Sequence, residues 1–266
     1  MPLRRFVAML KDYRHTVSGW WDILSHLLLL NSHSSMVPHY TLYTYFRSSC
    51  SARVRIAALY KGISLEYKYI NLLANEQNSE NYARCNNSHT LPTLVVSNDE
   101  NAHGIHEAFK IQQSVAILEY WEDCHPELPA LLPRKPCDRA FVRQLVNIIA
   151  CDVQPVTNLK ILSAVKRAGI EGGQWQREHM TAGLRAYDQV LVSSGCAGAY
   201  SVGDSVTLAD VVLAPAVDGA LRFGVDIACL PNVKRIYEKL QTLPAFIEGG
   251  WRAQLDTPEE LRRNNA

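Results

Sequence analysis

Apolar and polar positions divide the chain from residue 41 onward into short alternating runs, followed by long runs of helical period. Thr-Leu-Tyr-Thr-Tyr at 41–45 reads as a strand, then comes a polar turn, then an apolar-periodic stretch at 53–61 that stops at Gly62. Glycine tolerates the left-handed backbone that ends a helix, so this is strand, loop, helix. Residues 65–70 alternate and carry Tyr67 and Tyr69, and 91–96 form a third strand candidate bounded by polar clusters. A short fourth, 109–111, runs into a helix at 114–122. The order β-α-β then β-β-α predicts a thioredoxin-like α/β domain. Pro92 conflicts with an ordinary central strand because proline donates no ladder hydrogen bond. A cis-proline at the mouth of a ligand site resolves the conflict.

Pro126, Pro129, Pro133 and Pro136 crowd one short stretch, as a linker does. Everything after it has helical period: Phe141, Leu145, Ile148, Ile149 and Asp152 recur on one face, and so do Leu184, Tyr187 and Leu191. Within Gly203-Asp-Ser-Val-Thr-Leu-Ala-Asp210, Thr207 is placed to cap a helix and Asp210 to reach back to its backbone, with Val206 and Val211 as a hydrophobic staple. Pro231 opens a further helix with Val233, Ile236, Tyr237 and Leu240 on its apolar face. The expected division is therefore a leader (1–39), a thioredoxin-like domain (40–123), a linker (124–136) and an all-helical domain (137–266).

The leader stands apart in composition: Arg4, Arg5, Lys11 and Arg14 outnumber Asp12 and Asp22, among serines and histidines. A mitochondrial presequence, a disordered tail and an incorrectly assigned start all fit it. Its apolar run at 23–30 is interrupted by Ser25 and His26 and falls far short of the roughly 20 residues that span a bilayer. In the whole chain of 266 residues, 27 Lys and Arg nearly balance 26 Asp and Glu, which argues against nucleic acid or an anionic membrane as partner. Seven scattered cysteines form no C-x-x-C pair, and they read as reduced thiols in the cytoplasm, or in an organellar matrix if the leader is a presequence. His103 and His106 lie in an unusually long connection between the third and fourth strands, with no third metal ligand in sight.

Tyr-Phe-Arg-Ser-Ser-Cys-Ser-Ala-Arg-Val-Arg-Ile-Ala at 45–57 sets hydroxyls and a thiol at the junction of first strand and first helix. Free N–H groups and a partial positive charge there favour an anion, and a hydroxyl that donates to a thiolate lowers a bound thiol's pKa. Simple helix capping by the serines accounts for the same residue types.

The run closely resembles the signature of zeta-class glutathione transferases, Ser-Ser-Cys followed by Arg-Val-Arg-Ile-Ala. Leu91-Pro92-Thr93-Leu94, Gln113-Ser114, the 206–210 capping box, Gln154-Pro155 with Asn158, Arg222-Phe223 and the 256–262 tail extend the resemblance over roughly 41–262. It implies that Ser48 hydrogen-bonds the glutathione sulfur, with Ser49 and Cys50 lining the same turn. It implies also that the Leu91 backbone holds the cysteinyl part, that Gln113 and Ser114 bind the γ-glutamyl carboxylate, and that Gln154 reaches the site from the helical domain. Arg222 would orient an acidic substrate. Ala52 departs from the pattern, standing where the family usually carries a large aromatic or histidine.

The resemblance implies a homodimer with glutathione as cofactor, catalysing cis–trans isomerisation of maleylacetoacetate to fumarylacetoacetate in tyrosine and phenylalanine breakdown, at a site that would also act on small α-halo acids. Two other readings stand beside it. Cys50 as nucleophile would make a thiol transferase or dehydroascorbate reductase, and the fold without chemistry would make an interaction module.

Overall fold

The structure, a computed structural model, describes residues 38–97 and 108–263. The leader's targeting reading and the connection bearing His103 and His106 lie outside the described residues. Apart from Pro38 and Ser97, the described residues belong to one compact unit, 39–96 with 108–266.

Strands β1 (His39–Thr44), β2 (Glu66–Tyr69), β3 (Thr93–Ser97) and β4 (Ala108–Gln112) form one sheet in the order β2-β1-β3-β4. β1 and β2 run parallel with Leu42 opposite Tyr67, so the chain between them must cross over, and helix α1 (Ser49–Lys61) makes that crossover. α1 begins four residues before the point where apolar periodicity puts it. Its first turn, Ser-Cys-Ser-Ala, reads as loop because a capped helix start is polar. Residues 51–58 of α1 are all buried, so the helix is covered around its circumference and has little amphipathic signal. It ends as expected: Gly62 sits at φ 76, and the Ile63 N–H reaches back to Ala58 O at 2.8 Å. The Leu91–Pro92 peptide is cis. A short helix, α2 (Glu80–Ala83), lies between β2 and β3, and α3 (Ser114–Cys124) follows β4.

The helical region comprises α4 (Pro136–Asn147), a π-helical turn at Ile148–Val153, α5 (Gln154–Thr157), α6 (Leu159–Arg167), α7 (Gly172–Ser194), α8 (Leu208–Arg222), α9 (Pro231–Leu240), α10 (Pro244–Gly249) and α11 (Glu259–Arg263). Pro155 has no N–H to give the helix ladder, and the π turn lies immediately before it. The carbonyls left open where α5 ends at Thr157 are taken by side chains: Thr157 Oγ1 donates to Val153 O at 2.8 Å, Trp175 Nε1 to Val156 O at 2.9 Å and Gln176 Nε2 to Thr157 O at 2.7 Å. At the start of α8, Asp210 Oδ2 accepts from the Thr207 N–H at 2.8 Å and from the Thr207 hydroxyl at 2.9 Å, which closes the capping box expected from sequence.

One continuous core joins the sheet region to the helices, running from Leu42 and Leu94 through Val54 and Trp121 to Leu145, Tyr187, Val212 and Ile236. The segment of dense prolines is itself tethered. Lys61 Nζ lies 2.7 Å from Glu122 Oε1, almost fully buried, and donates to Pro129 O at 2.9 Å, while Glu122 accepts the N–H groups of Leu131 and Leu132. No single helix among the described residues is long and apolar enough to cross a membrane.

Candidate active site

Ser48 is the N-cap of α1. Its backbone is extended, and its Oγ accepts the Ser51 N–H at 3.1 Å. The capping interpretation of this serine is thus realised, and it does not use up the hydroxyl: an oxygen that accepts from an N–H keeps its own proton to donate. Ser49 and Cys50 are the first residues of the helix, both half-buried. The first turn of α1 carries no acidic residue of its own to offset its partial positive charge. Ala52 points inward, 3 % exposed.

The loop before Ser48 is clamped from two sides. Arg55, fully buried, donates to Thr44 Oγ1 at 2.8 Å, to Tyr45 O and Phe46 O at 3.3 Å, and to Gly249 O at 3.0 Å. Burial pulls its guanidinium down to about 10. From the C-terminal tail, Asp256 Oδ2 accepts the Phe46 N–H at 2.8 Å. Neither Arg55 nor Asp256 has a role of its own legible in the sequence; the signal available was the charge of Arg55 amid the apolar residues of α1, which marks a buried ion with specific partners.

Leu91, at the cis-proline, packs in a small buried cluster with Tyr45, Phe46 and Tyr82, which places it beside the same loop. Below it, Tyr82 and Asn86 hold the Thr93 hydroxyl at 2.8 and 2.9 Å. Gln113 and Ser114 open α3. Gln113 takes φ 76, unusual for a side-chain-bearing residue, and makes no side-chain cap, and the first turn of α3 has no acid. The N–H groups of that turn are left for another acceptor. Ser114 is buried and joined to α1, its Oγ accepting from Arg53 Nη1 at 3.2 Å.

Arg222 ends α8 with its guanidinium 4.9 Å from the centre of the Phe223 ring. Desolvation by surrounding protein and the charge of Arg47 lower its pKa, against the opposing pull of Tyr45 and Asp218, so Arg222 stands near enough to Arg47 and Tyr45 to feel their charges. Nothing in the local sequence pattern marks Arg47 itself. Gln154 begins α5 directly after the π turn, half-buried; no hydrogen bond among the described residues joins it to Ser48, Ser114 or Arg222. A cleft of about 570 Å3 flanks the loop, lined by Tyr45, Phe46, Arg47, Asn71, Glu76 and Asp256. Neither Ser48 nor Ser114 forms its wall, so side-chain chemistry rather than cavity size locates the site. All seven cysteines are free thiols.

A sheet of this order, a serine-capped helix after its first strand and a cis-proline before its third strand are joined here to a helical region. The model described as "Glutathione S-transferase, N-terminal domain" matches residues 38–123, and "Glutathione S-transferase, C-terminal domain" matches 162–248. The chain belongs to the glutathione S-transferase family. The maleylacetoacetate isomerase of Emericella nidulans is 47 % identical over 225 residues, covering 84 % of this chain and 96 % of that protein. Among solved structures, a maleylacetoacetate isomerase from Anaeromyxobacter dehalogenans 2CP-1, with dicarboxyethyl glutathione and citrate in its active site, matches with TM-score 0.74 and 34 % identity, covering 85 % of this chain and 97 % of that one. A maleyl pyruvate isomerase described as a bacterial zeta-class glutathione S-transferase matches with TM-score 0.73 and 33 % identity, covering 82 % and 100 %.

The buried groups of this transferase fold suit glutathione, an anionic peptide thiol. Nε and Nη2 of Arg53 and Oγ of Ser51 are buried polar atoms without a partner among the described residues. They flank two helix starts free of acids.

Proposed function

We propose that the chain catalyses the glutathione-dependent isomerisation of maleylacetoacetate to fumarylacetoacetate. The observation that carries this reading is the near full-length match to a maleylacetoacetate isomerase at 47 % identity, with the Ser-Ser-Cys turn at a helix N-terminus. Glutathione supplies a nucleophilic sulfur whose reversible addition turns the substrate double bond into a rotatable single bond.

The chain's own residues do the rest. Ser48 donates its free proton toward the sulfur and, with the α1 N-terminus, favours the thiolate. Arg55 and Asp256 hold the 45–48 loop so that this donor is aimed before substrate arrives. The Leu91 backbone holds the cysteinyl portion, Gln113 and Ser114 take the γ-glutamyl carboxylate at the start of α3, and Gln154 closes on the same ligand from the helical side. Arg222, beside Arg47, orients a carboxylate of the substrate. Cys50 adds polarity to the turn and is not the nucleophile.

The family resemblance supports a cytoplasmic homodimer. An assay of maleylacetoacetate isomerisation with and without glutathione tests the proposal: turnover that requires glutathione but does not consume it is expected. Glutathione-independent turnover, or none with this substrate, would remove it.

A further inference from the structure

The helix that carries Ser48 also carries a buried cation with almost nothing to bind. Arg53 is 2 % exposed, and among the described residues its one hydrogen bond runs from Nη1 to Ser114 Oγ at 3.2 Å. Nε and Nη2, equally shielded from water, find no partner among the described residues, and no carboxylate there pairs with the group. Arg55, two positions on, is a contrast: its guanidinium is just as buried, but the Gly249, Thr44, Tyr45 and Phe46 oxygens satisfy it. Burying a guanidinium without a counter-charge is strongly unfavourable unless an anion repays the lost hydration.

The surroundings of Ser114 say where that anion belongs. Ser114 is 5 % exposed and is the first residue of α3, whose opening N–H groups receive no side-chain cap and whose first turn has no acid. Its oxygen accepts from Arg53, so its proton is directed to something else. A hydroxyl donor, a helix N-terminus and an unneutralised guanidinium thus converge on one spot, and each favours negative charge there.

We propose that Arg53 is the buried counter-charge that sets the affinity for glutathione, acting through Ser114 on the γ-glutamyl α-carboxylate. It rests on the glutathione-dependent reading above and adds a positioning residue to it. Arg53 does not touch the reacting sulfur. It polarises the Ser114 hydroxyl and supplies a charge that low-dielectric surroundings leave unscreened. The cost of burying it in the free protein is recovered when the carboxylate binds, so Arg53 trades stability of the free chain for affinity.

That trade is what the experiment reads. Arg53→Met in the full chain is titrated calorimetrically with glutathione and with γ-aminobutyryl-cysteinyl-glycine, which lacks only the α-carboxylate; the thermal midpoint is measured without ligand. The wild type should prefer glutathione over the analogue. Arg53→Met should lose about 10- to 100-fold in glutathione affinity, as expected for a charge-assisted contact. Its affinity for the analogue should change little, and its unliganded midpoint should be unchanged or higher, because an apolar side chain of similar length replaces an uncompensated charge. Arg53→Lys should recover part of the preference. Equal losses for both ligands, or a variant that fails to fold, would overturn the proposal and make Arg53 a structural bridge between α1 and α3. A wild type that binds no glutathione at all would instead sink the reading beneath it.

Discussion

Arg55 Nε donates to the carbonyl of Gly249, 194 residues further along the chain, at 3.0 Å. The contact is possible because α10 rests directly on α1. A Cβ added to Gly249 would stand 2.8 Å from both the Cα and the N of Ile56, atoms that cannot swing aside. The same guanidinium holds the carbonyls ahead of Ser48, so the end of the helical region and the loop before Ser48 share one anchor.

Gly249→Ala should therefore destabilise the protein by about 1–3 kcal/mol, the usual cost of overpacking. Gly219, inside α8, has only Met180 Cε near its absent Cβ, at 3.7 Å. Gly219→Ala should raise stability by up to about 1 kcal/mol through helix propensity. Thermal unfolding of the two variants reads both; similar midpoints would show that the α1–α10 approach is looser than the structure has it.

Asp256 gives a pH-dependent prediction. Burial raises its pKa above the ordinary 3.8, against the pull of the Phe46 N–H and the charges of Arg55 and Arg262. A carboxyl whose folded pKa is raised contributes its stability in full below the unfolded value and loses it as pH rises through the folded value. Asp256→Asn keeps an acceptor for the Phe46 N–H but removes the titration. Relative to this variant, the wild type should lose stability as pH rises from 3.8 toward neutrality. A wild type that gained on the variant over that range would make the carboxylate a net stabiliser of the loop.

Arg222→Ala should weaken acidic substrates about tenfold, in line with loss of a charge-assisted contact, and neutral electrophiles much less. Glutathione affinity should hold. Steady-state kinetics with one substrate of each kind decides; parallel losses would reassign Arg222 to packing on Phe223.

Much of the fold was legible in the sequence. The Gly62 stop, the Leu91–Pro92 cis peptide, the Thr207–Asp210 box and the Pro231 helix start are local devices whose residue types announce their geometry. Apolar periodicity alone put the start of α1 four residues late, although the serines read as its cap, and the π turn at Ile148–Val153 was not legible, because a π turn leaves the apolar period almost intact. The supporting shell was equally hidden. Arg53 and Asp256 matter through partners 61 and 210 residues away, and separations of that length leave no local pattern; only the charge of Arg55 amid apolar neighbours gave a sign.

The proposed chemistry stands on Ser48, rather than Cys50, facing the thiolate. The most direct measurement is the pH–rate profile of glutathione-dependent isomerisation for Ser48→Ala and Cys50→Ala beside the wild type. Removing a preorganised donor at developing charge should slow Ser48→Ala on the order of 10²–10³-fold and move the apparent thiol pKa upward, toward its free value. Cys50→Ala should keep most of the rate and an unshifted profile. An inert Cys50→Ala beside an active Ser48→Ala would contradict the account and assign the chemistry to the protein's own thiol.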